Sequence, residues 1–161
     1  MSVKIQQYTP SDRSTVKRFV EATQEYERVR VRDLSPGTEI GDAYTRKLLR
    51  AVAAKNGVIL LATSDNEPIG FVCAWVDADR DMLLALKARS FAYISDIFVE
   101  RPWRRKGIAR KLLAAAEREM ARRGCYRIRI CSKAANRAAV AVYARSGFEP
   151  YETIFTKQII P

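Results

Sequence analysis

The segment from Phe91 to Arg123 constrains the fold more than any other part of the chain. Phe91 to Val99 is an alternating, β-branched and aromatic run that reads as a strand. Ile108 to Arg123 reads as an amphipathic helix with Leu112, Leu113, Ala116 and Met120 on one face and a stop at Gly124. Between them stands Arg104-Arg105-Lys106-Gly107-Ile108-Ala109-Arg110. A strand that passes through a small-residue turn straight into a helix directs the unpaired N–H groups of the first helical turn outward, where the helix dipole adds positive partial charge. Such a turn suits a phosphate or pyrophosphate. At Gly107 and Ala109 a larger side chain would hold the anion away from the amides. Taken alone, Arg-x-x-Gly-x-Ala reads equally well as a solvated basic connection.

A second pattern follows at one helix and one strand's distance: Asn136-Arg-Ala-Ala139-Val-Ala-Val-Tyr143-Ala-Arg-Ser-Gly147-Phe148. Together the two segments resemble the acetyl-CoA-binding motif and the Asn-x-x-Ala-x-x-x-Tyr-x-x-x-Gly-Phe segment of the GCN5-related N-acetyltransferase (GNAT) superfamily. The match departs mildly from that pattern at Ala109, where the family often has Gly. In relatives that acetylate ribosomal protein N-termini, a glutamate precedes the motif asparagine by five residues. This chain has Cys131 there, which argues against that activity; the residue reads as a buried small apolar side chain rather than a nucleophile.

The remaining elements are read from periodicity. Val3 and Ile5 alternate as a first strand, and Thr9-Pro10-Ser11-Asp12 opens a helix carrying Val16, Phe19 and Val20 to about Gln24. Residues 28–38 read as a loop, and a second helix runs from about Glu39 to Asn56-Gly57. Val58–Ala62 and Ile69–Val76 read as a hairpin, while Asp77–Ser90 fits either a short helix or an apolar flap. Tyr126–Cys131 is a strand, Asn136–Ser146 a helix and Tyr151–Ile159 a final strand. This order predicts a single α/β domain over residues 1–161. The resemblance implies the GNAT fold, with a mixed sheet of about six or seven strands, about four flanking helices and a V-shaped splay between the central strands.

Composition narrows the function. The chain has 161 residues, 48% hydrophobic and 29% charged, as expected of a soluble globular protein. No apolar run approaches the ~20 residues needed to span a bilayer. The opening Met-Ser-Val-Lys-Ile-Gln-Gln-Tyr has no signal-peptide centre, so a cytoplasmic location is expected. Histidine is absent, which excludes a His-based triad, and the three cysteines lack metal-ligand spacing, so no metal is expected. The net charge of +11 calls for a polyanionic partner. CoA, with three phosphate groups, is one. Nucleic acid is the weaker alternative, because the bases are not interleaved with exposed aromatics as stacking platforms require.

What the resemblance implies about chemistry is specific by residue. Acetyl-CoA would lie with its pantetheine arm on the main chain of Ile97, Phe98 and Val99. Its pyrophosphate would lie in the turn formed by Arg104, Arg105, Lys106, Gly107, Ile108, Ala109 and Arg110. Asn136, Ala139 and Tyr143 would complete the cofactor site. Tyr143 would protonate the departing thiolate; as a residue pattern it reads also as a packing tyrosine with its hydroxyl at the rim. Asn136 equally suits a helix N-cap. Asp96 reads either as the base that takes the amine's proton or as a carboxylate paired with an arginine. The acceptor would be a primary amine of a small molecule or peptide, met by residues 25–40 and 77–92. Acids there (Glu25, Glu27, Asp33, Glu39, Asp77, Asp79, Asp81) would attract a cation, and interspersed arginines an acid. A homodimer is expected through the apolar tail Ile154, Phe155, Ile159 and Ile160, an edge needing cover. An acyl-CoA sensor with little turnover remains the alternative on the same fold.

Overall fold

The computed structural model describes residues 2–159; Met1, Ile160 and Pro161 lie outside the described residues. Five strands form one sheet in the order β1-β2-β3-β4-β5. They are β1 (Val3–Gln7), β2 (Val58–Ser64), β3 (Glu67–Ala78), β4 (Ser90–Val99) and β5 (Ile128–Ile130). The first four pair antiparallel, and β5 joins β4 in parallel, so the sheet is mixed. The helices are α1 (Arg13–Arg28), α2 (Gly37–Ala54), the single turn α3 (Leu86–Arg89), α4 (Ile108–Arg122) and α5 (Arg137–Arg145).

Period-two patterning sorts the strand residues onto two faces. Ile59, Leu61, Phe71, Cys73 and Trp75 meet Val16, Phe19 and Val20 of α1 and Leu48 of α2. Val58, Leu60, Ala62, Val72, Ala74, Ala92 and Ile94 meet Ile108, Leu112, Leu113, Ala116 and Met120 of α4. Full burial of each such side chain contributes ~1.5–3 kcal/mol, which makes the two faces the main source of stability. Phe19 stacks on Phe71 with ring centroids 5.6 Å apart and lies equally close to Phe98. The N-terminus of α2 is held against α1 by two means. Glu25 Oε1 accepts the Gly37 amide at 2.6 Å, and a Cβ at Gly37 would meet the Glu21 carbonyl at 2.5 Å.

Several expectations change at the element ends. α1 runs a turn beyond Gln24 and is preceded by a 3-10 turn at Pro10–Asp12, where Thr9 and Asp12 cap one another. β5 covers only Ile128–Ile130 rather than residues 126–131. The expected final strand does not form: residues 151–159 are irregular and exposed, with Ile154 at 80% and Phe155 at 90%. Among the described residues the sheet therefore has five strands, not six or seven. The physical reason is the partner edge. With only three residues, β5 offers too few ladder bonds to offset the entropy of ordering the tail. Residues 79–89 resolve into a loop and the single turn α3, with Met82, Leu83 and Leu86 exposed.

Candidate active site

The site is built around an irregularity in β4. Cys73 stands opposite Asp96 and Ala74 opposite Ile94, so Ser95 is an extra residue in β4, a β-bulge. The bulge has two effects. It reverses the alternation: Ala92 and Ile94 face α4, but beyond Ser95 it is Ile97 and Val99 that do, leaving Asp96 and Phe98 on the α1/α2 face beside Tyr93. It also coincides with the end of pairing to β5, whose last registered pair is Ile94 with Ile130. From Ser95 to Val99, β4 is laddered on one side only. That is the expected splay, seen here as a parallel pair that opens after three residue pairs.

Past the open edge the chain enters a 3-10 turn at Arg101–Trp103 and then the phosphate-type turn. Arg105 (φ +62°) and Gly107 (φ +78°) both adopt left-handed backbone. Nothing lies within 4 Å of a Cβ placed on Gly107, so the glycine is favoured by its dihedral angle rather than by space in the apo chain. Among the described residues, no backbone or side-chain acceptor takes the amides of residues 105–110. The run ends where Lys111 N donates to the Gly107 carbonyl. Arg105, Lys106 and Arg110 are exposed, and none joins an ion pair among the described residues. Ile108 is buried beneath them as the first core residue of α4.

Arg104 is placed differently from its neighbours. Its Nε donates to the Val99 carbonyl at 2.8 Å, and its guanidinium packs over the rings of Tyr26 and Phe98. Its side chain points to the α1 side of the sheet, so only its backbone belongs to the turn.

Asp96 sits partly buried where the opening begins and accepts a hydrogen bond from the Tyr44 hydroxyl of α2 at 3.2 Å. Burial pushes its carboxyl up to about 6; the Ser95 and Tyr44 hydroxyls oppose the rise, the Glu27 charge adds to it and Lys47 subtracts from it. Asp96 has no arginine partner among the described residues, so its ion-paired reading is not what the structure shows. Tyr143 approaches from α5, packed with the α4-side core and 6.0 Å from the Phe148 ring. Burial raises its phenol well above the ordinary value, with further contributions from Glu27, Asp96 and Cys131. It stays protonated at neutral pH, and its hydroxyl has no partner among the described residues.

Asn136 caps α5, its Oδ1 accepting from Ala139 N at 3.2 Å. Ala139 is therefore tied to Asn136, one turn before Tyr143 on the same helix.

Four residues near this opening were not singled out from sequence for it. Tyr44 lies one helical turn before Leu48, on the stripe of α2 that meets the sheet, which was the available signal. Tyr93 is pushed up to about 12, first by burial and then by the Cys131 thiol. Cys131 is exposed, contrary to the expectation of a buried small residue, because β5 ends at Ile130 and leaves it past the paired edge. Lys47 lies 5.5 Å from the Tyr44 ring centre. Of the acids expected to meet an acceptor, Glu25 caps α2, Asp77 holds Lys55 and the Trp75 indole, and Asp79 holds Arg129. Glu27 has no partner among the described residues. No three His, Cys, Asp or Glu side chains cluster for a metal among the described residues, and no helix there is long and apolar enough to cross a membrane.

Solved structures resemble this fold over almost the whole chain. A GCN5-related N-acetyltransferase from Ralstonia eutropha is 23% identical with a TM-score of 0.76, covering 98% of this chain and 99% of the other. The aminoglycoside N-acetyltransferase AAC(6')-Iy, solved in complex with CoA, is 20% identical with a TM-score of 0.72, covering 98% and 95%. A transcriptional regulator from Bacillus halodurans is 18% identical with a TM-score of 0.73, covering 98% and 100%. At these identities the likeness speaks for the fold alone. No curated protein matches the sequence. The family description "Acetyltransferase (GNAT) family" matches residues 20–148, from within α1 through the Gly147-Phe148 end of the second motif. This chain belongs to the GNAT acetyltransferase family.

Proposed function

We propose that the chain, as a single domain over residues 1–161, transfers an acetyl group from acetyl-CoA to a primary amine in a ternary complex. One observation carries the reading: a half-unpaired strand leads into a run of amides without acceptors, with Asp96 and Tyr143 on the two sides of the opening. The amides of Arg105, Lys106, Gly107, Ile108, Ala109 and Arg110 fit a pyrophosphate, and the exposed Arg105, Lys106 and Arg110 side chains supply countercharge. The free edge of β4 at Ile97, Phe98 and Val99 fits an amide-bearing pantetheine arm as an added strand would. The Val99 carbonyl already accepts from Arg104, so Ile97 and Phe98 offer the less committed main chain. Asn136 would bond the pantetheine region beside Ala139.

The thioester is already activated, so these residues need only align the reactants and move two protons. Alignment alone can supply ~7–11 kcal/mol. Asp96, raised to about 6 and so ionised at neutral pH, would take the proton of the attacking amine. Tyr143, protonated and without a partner, would give its proton to the leaving thiolate on the opposite face. The acceptor enters from the α1/α2 side, where the unpaired Glu27 and the Tyr44 and Tyr93 rings favour a small cationic amine.

The test is a thiol-release screen over aminoglycosides, polyamines, amino acids and peptides. Release with at least one amine class supports transfer. Tight CoA binding with no turnover across the panel would instead make the chain an acyl-CoA sensor. Further readings belong to the same proposal: a cytoplasmic location, and a homodimer in which the exposed tail Ile154, Phe155 and Ile159 packs against a second copy. Light scattering that finds only monomer at high concentration would rule out the dimer.

A further inference from the structure

Resting on the proposed acetyl-CoA site, we propose that Arg104 is a positioning residue that ties the phosphate-cradling turn to the acceptor-side helix α1, so that filling the turn fixes Tyr26 and Glu27. Position in the motif would make Arg104 a phosphate ligand. Its atoms lie elsewhere. Nε is bonded to the Val99 carbonyl at 2.8 Å, and the guanidinium carbon lies 4.5 Å from the Tyr26 ring centre and 5.4 Å from that of Phe98. A planar guanidinium that donates from its edge while its face lies on aromatic rings is held in one orientation. Its neighbours Arg105 and Arg110 are exposed without ion pairs among the described residues, and Lys106, 4.9 Å from the Trp103 ring centre, is exposed too; these can meet phosphate instead.

The contact matters because α1 is otherwise bridged to this region only sparsely. A cavity of about 520 Å³, lined by Arg18, Phe19, Ala22, Tyr26, Phe98 and Arg104 among others, opens between the helix and the segment that follows β4. Two side-chain bridges flank it: Arg18 with Glu100 near the start of the face, and Arg104 with Tyr26 near its end. Those positions are two helical turns apart on one side of α1. Tyr26 is further fixed by Arg30, whose guanidinium lies 3.7 Å from the ring centre. The next residue is Glu27, an acid without a partner among the described residues, whose charge reaches both Asp96 and Tyr143. Arg104 thus bonds the end of the open strand and holds the last turn of the acceptor wall. Binding at the turn and order at the wall become one event, the contiguous two-site coupling that linkage requires.

The experiment is amide hydrogen exchange on the full chain with and without CoA, together with CoA affinity by calorimetry. In the wild type, CoA should slow exchange at residues 105–110 and also at residues 24–31, the latter by about five- to tenfold, at the low end of usual intersite coupling. Arg104→Gln should keep the protection at 105–110, lose it at 24–31, and change CoA affinity by no more than about threefold. Tyr26→Leu should reproduce the loss from the other side of the bridge, and Arg104→Lys, which keeps a cation over both rings, should restore part of it. The readout is the CoA-induced change, which a residue that only stabilises the helix would not move. A tenfold or greater loss of CoA affinity in Arg104→Gln, with shallower salt dependence, would make Arg104 a phosphate ligand and overturn the proposal. So would α1 protection that survives both variants. A wild type that fails to bind CoA at all would sink the acetyl-CoA reading itself, a result distinct from either.

Discussion

The two halves of β4 are one strand with two fates. From Ala92 to Ile94 it is paired on both sides and its side chains are largely buried, Ala92 and Ile94 completely. From Ser95 to Val99 it is paired only with β3, its side chains are mostly half-buried, and it carries Asp96 beneath the Tyr44 hydroxyl. The composition of the halves differs little; the bulge at Ser95 makes the difference. One additional residue, taken up as a bulge, bends the strand from its parallel neighbour while Asp96 keeps the α1/α2 side. An open edge inside a sheet is ordinarily a liability. Here it stands next to the acceptor-free amides of residues 105–110, so two unsatisfied features adjoin along the chain.

The comparison can be broken by substitution in each half. The largest effect should come from Asp96→Asn in the open half, which removes the proposed general base and should lower turnover by ~10²–10⁴-fold while leaving CoA affinity nearly unchanged. The pH profile sharpens the test. Because burial pushes the Asp96 carboxyl up to about 6 and the proposed base must be ionised to act, kcat/KM should rise through pH 6 and level off above it, and the variant should lose that limb. Stability has the opposite sign. A carboxyl raised from 3.8 to about 6 by burial favours the protonated fold, so its contribution is present below pH 4 and is lost as pH rises through 6. Denaturant midpoints of wild type and Asp96→Asn across that range read it directly.

Ile94→Ala in the closed half should do the reverse, costing ~2–5 kcal/mol in denaturant unfolding with little change in CoA affinity of the folded fraction. If Ile94→Ala weakened CoA binding as much as a change in the turn, the division between the halves would fail. Tyr143→Phe follows, with turnover down by roughly ten- to a thousandfold because water partly substitutes for the phenol. Its stability should change by no more than ~1–2 kcal/mol, since the hydroxyl has no partner among the described residues. An unchanged rate with reduced stability would make Tyr143 a packing residue. The smallest effect on the fold should come from deleting Ser95. The deletion keeps every flanking side chain on its face but straightens β4, so melting should be nearly unchanged while turnover falls by about a hundredfold from misplacement of the open edge.

Much of this architecture was legible in the chain. Alternation placed β2, β3 and β4, and the stripes of α1 and α4 matched the buried faces, because burial on one side of a sheet enforces those periods. The turn at Arg104–Ala109 was legible because a glycine just before an amphipathic helix marks a position open to left-handed backbone, which Gly107 adopts at φ +78°. The bulge was not. Ser95 looks like any strand residue, and the misregister arises from pairing with β3, a nonlocal event. Tyr44 and Glu27 were missed as neighbours of Asp96 for the same reason, since residues on α1 and α2 meet it only through packing. The final strand was overread: residues 151–159 have strand-like residues but no adequate edge to join. Arg104 shows the limit of motif reading, since its backbone sits where the pattern puts it while its side chain packs against α1.

The central claim is that the open half of β4 and the turn after it form one acetyl-CoA site. It is tested most directly by titrating CoA into uniformly ¹⁵N-labelled protein and following backbone amide shifts. The account predicts saturating shifts at residues 97–99 and 105–110 with one common affinity, while residues 91–94 stay still. Shifts centred elsewhere, or amides at 105–110 that remain unmoved at saturating CoA, would contradict it.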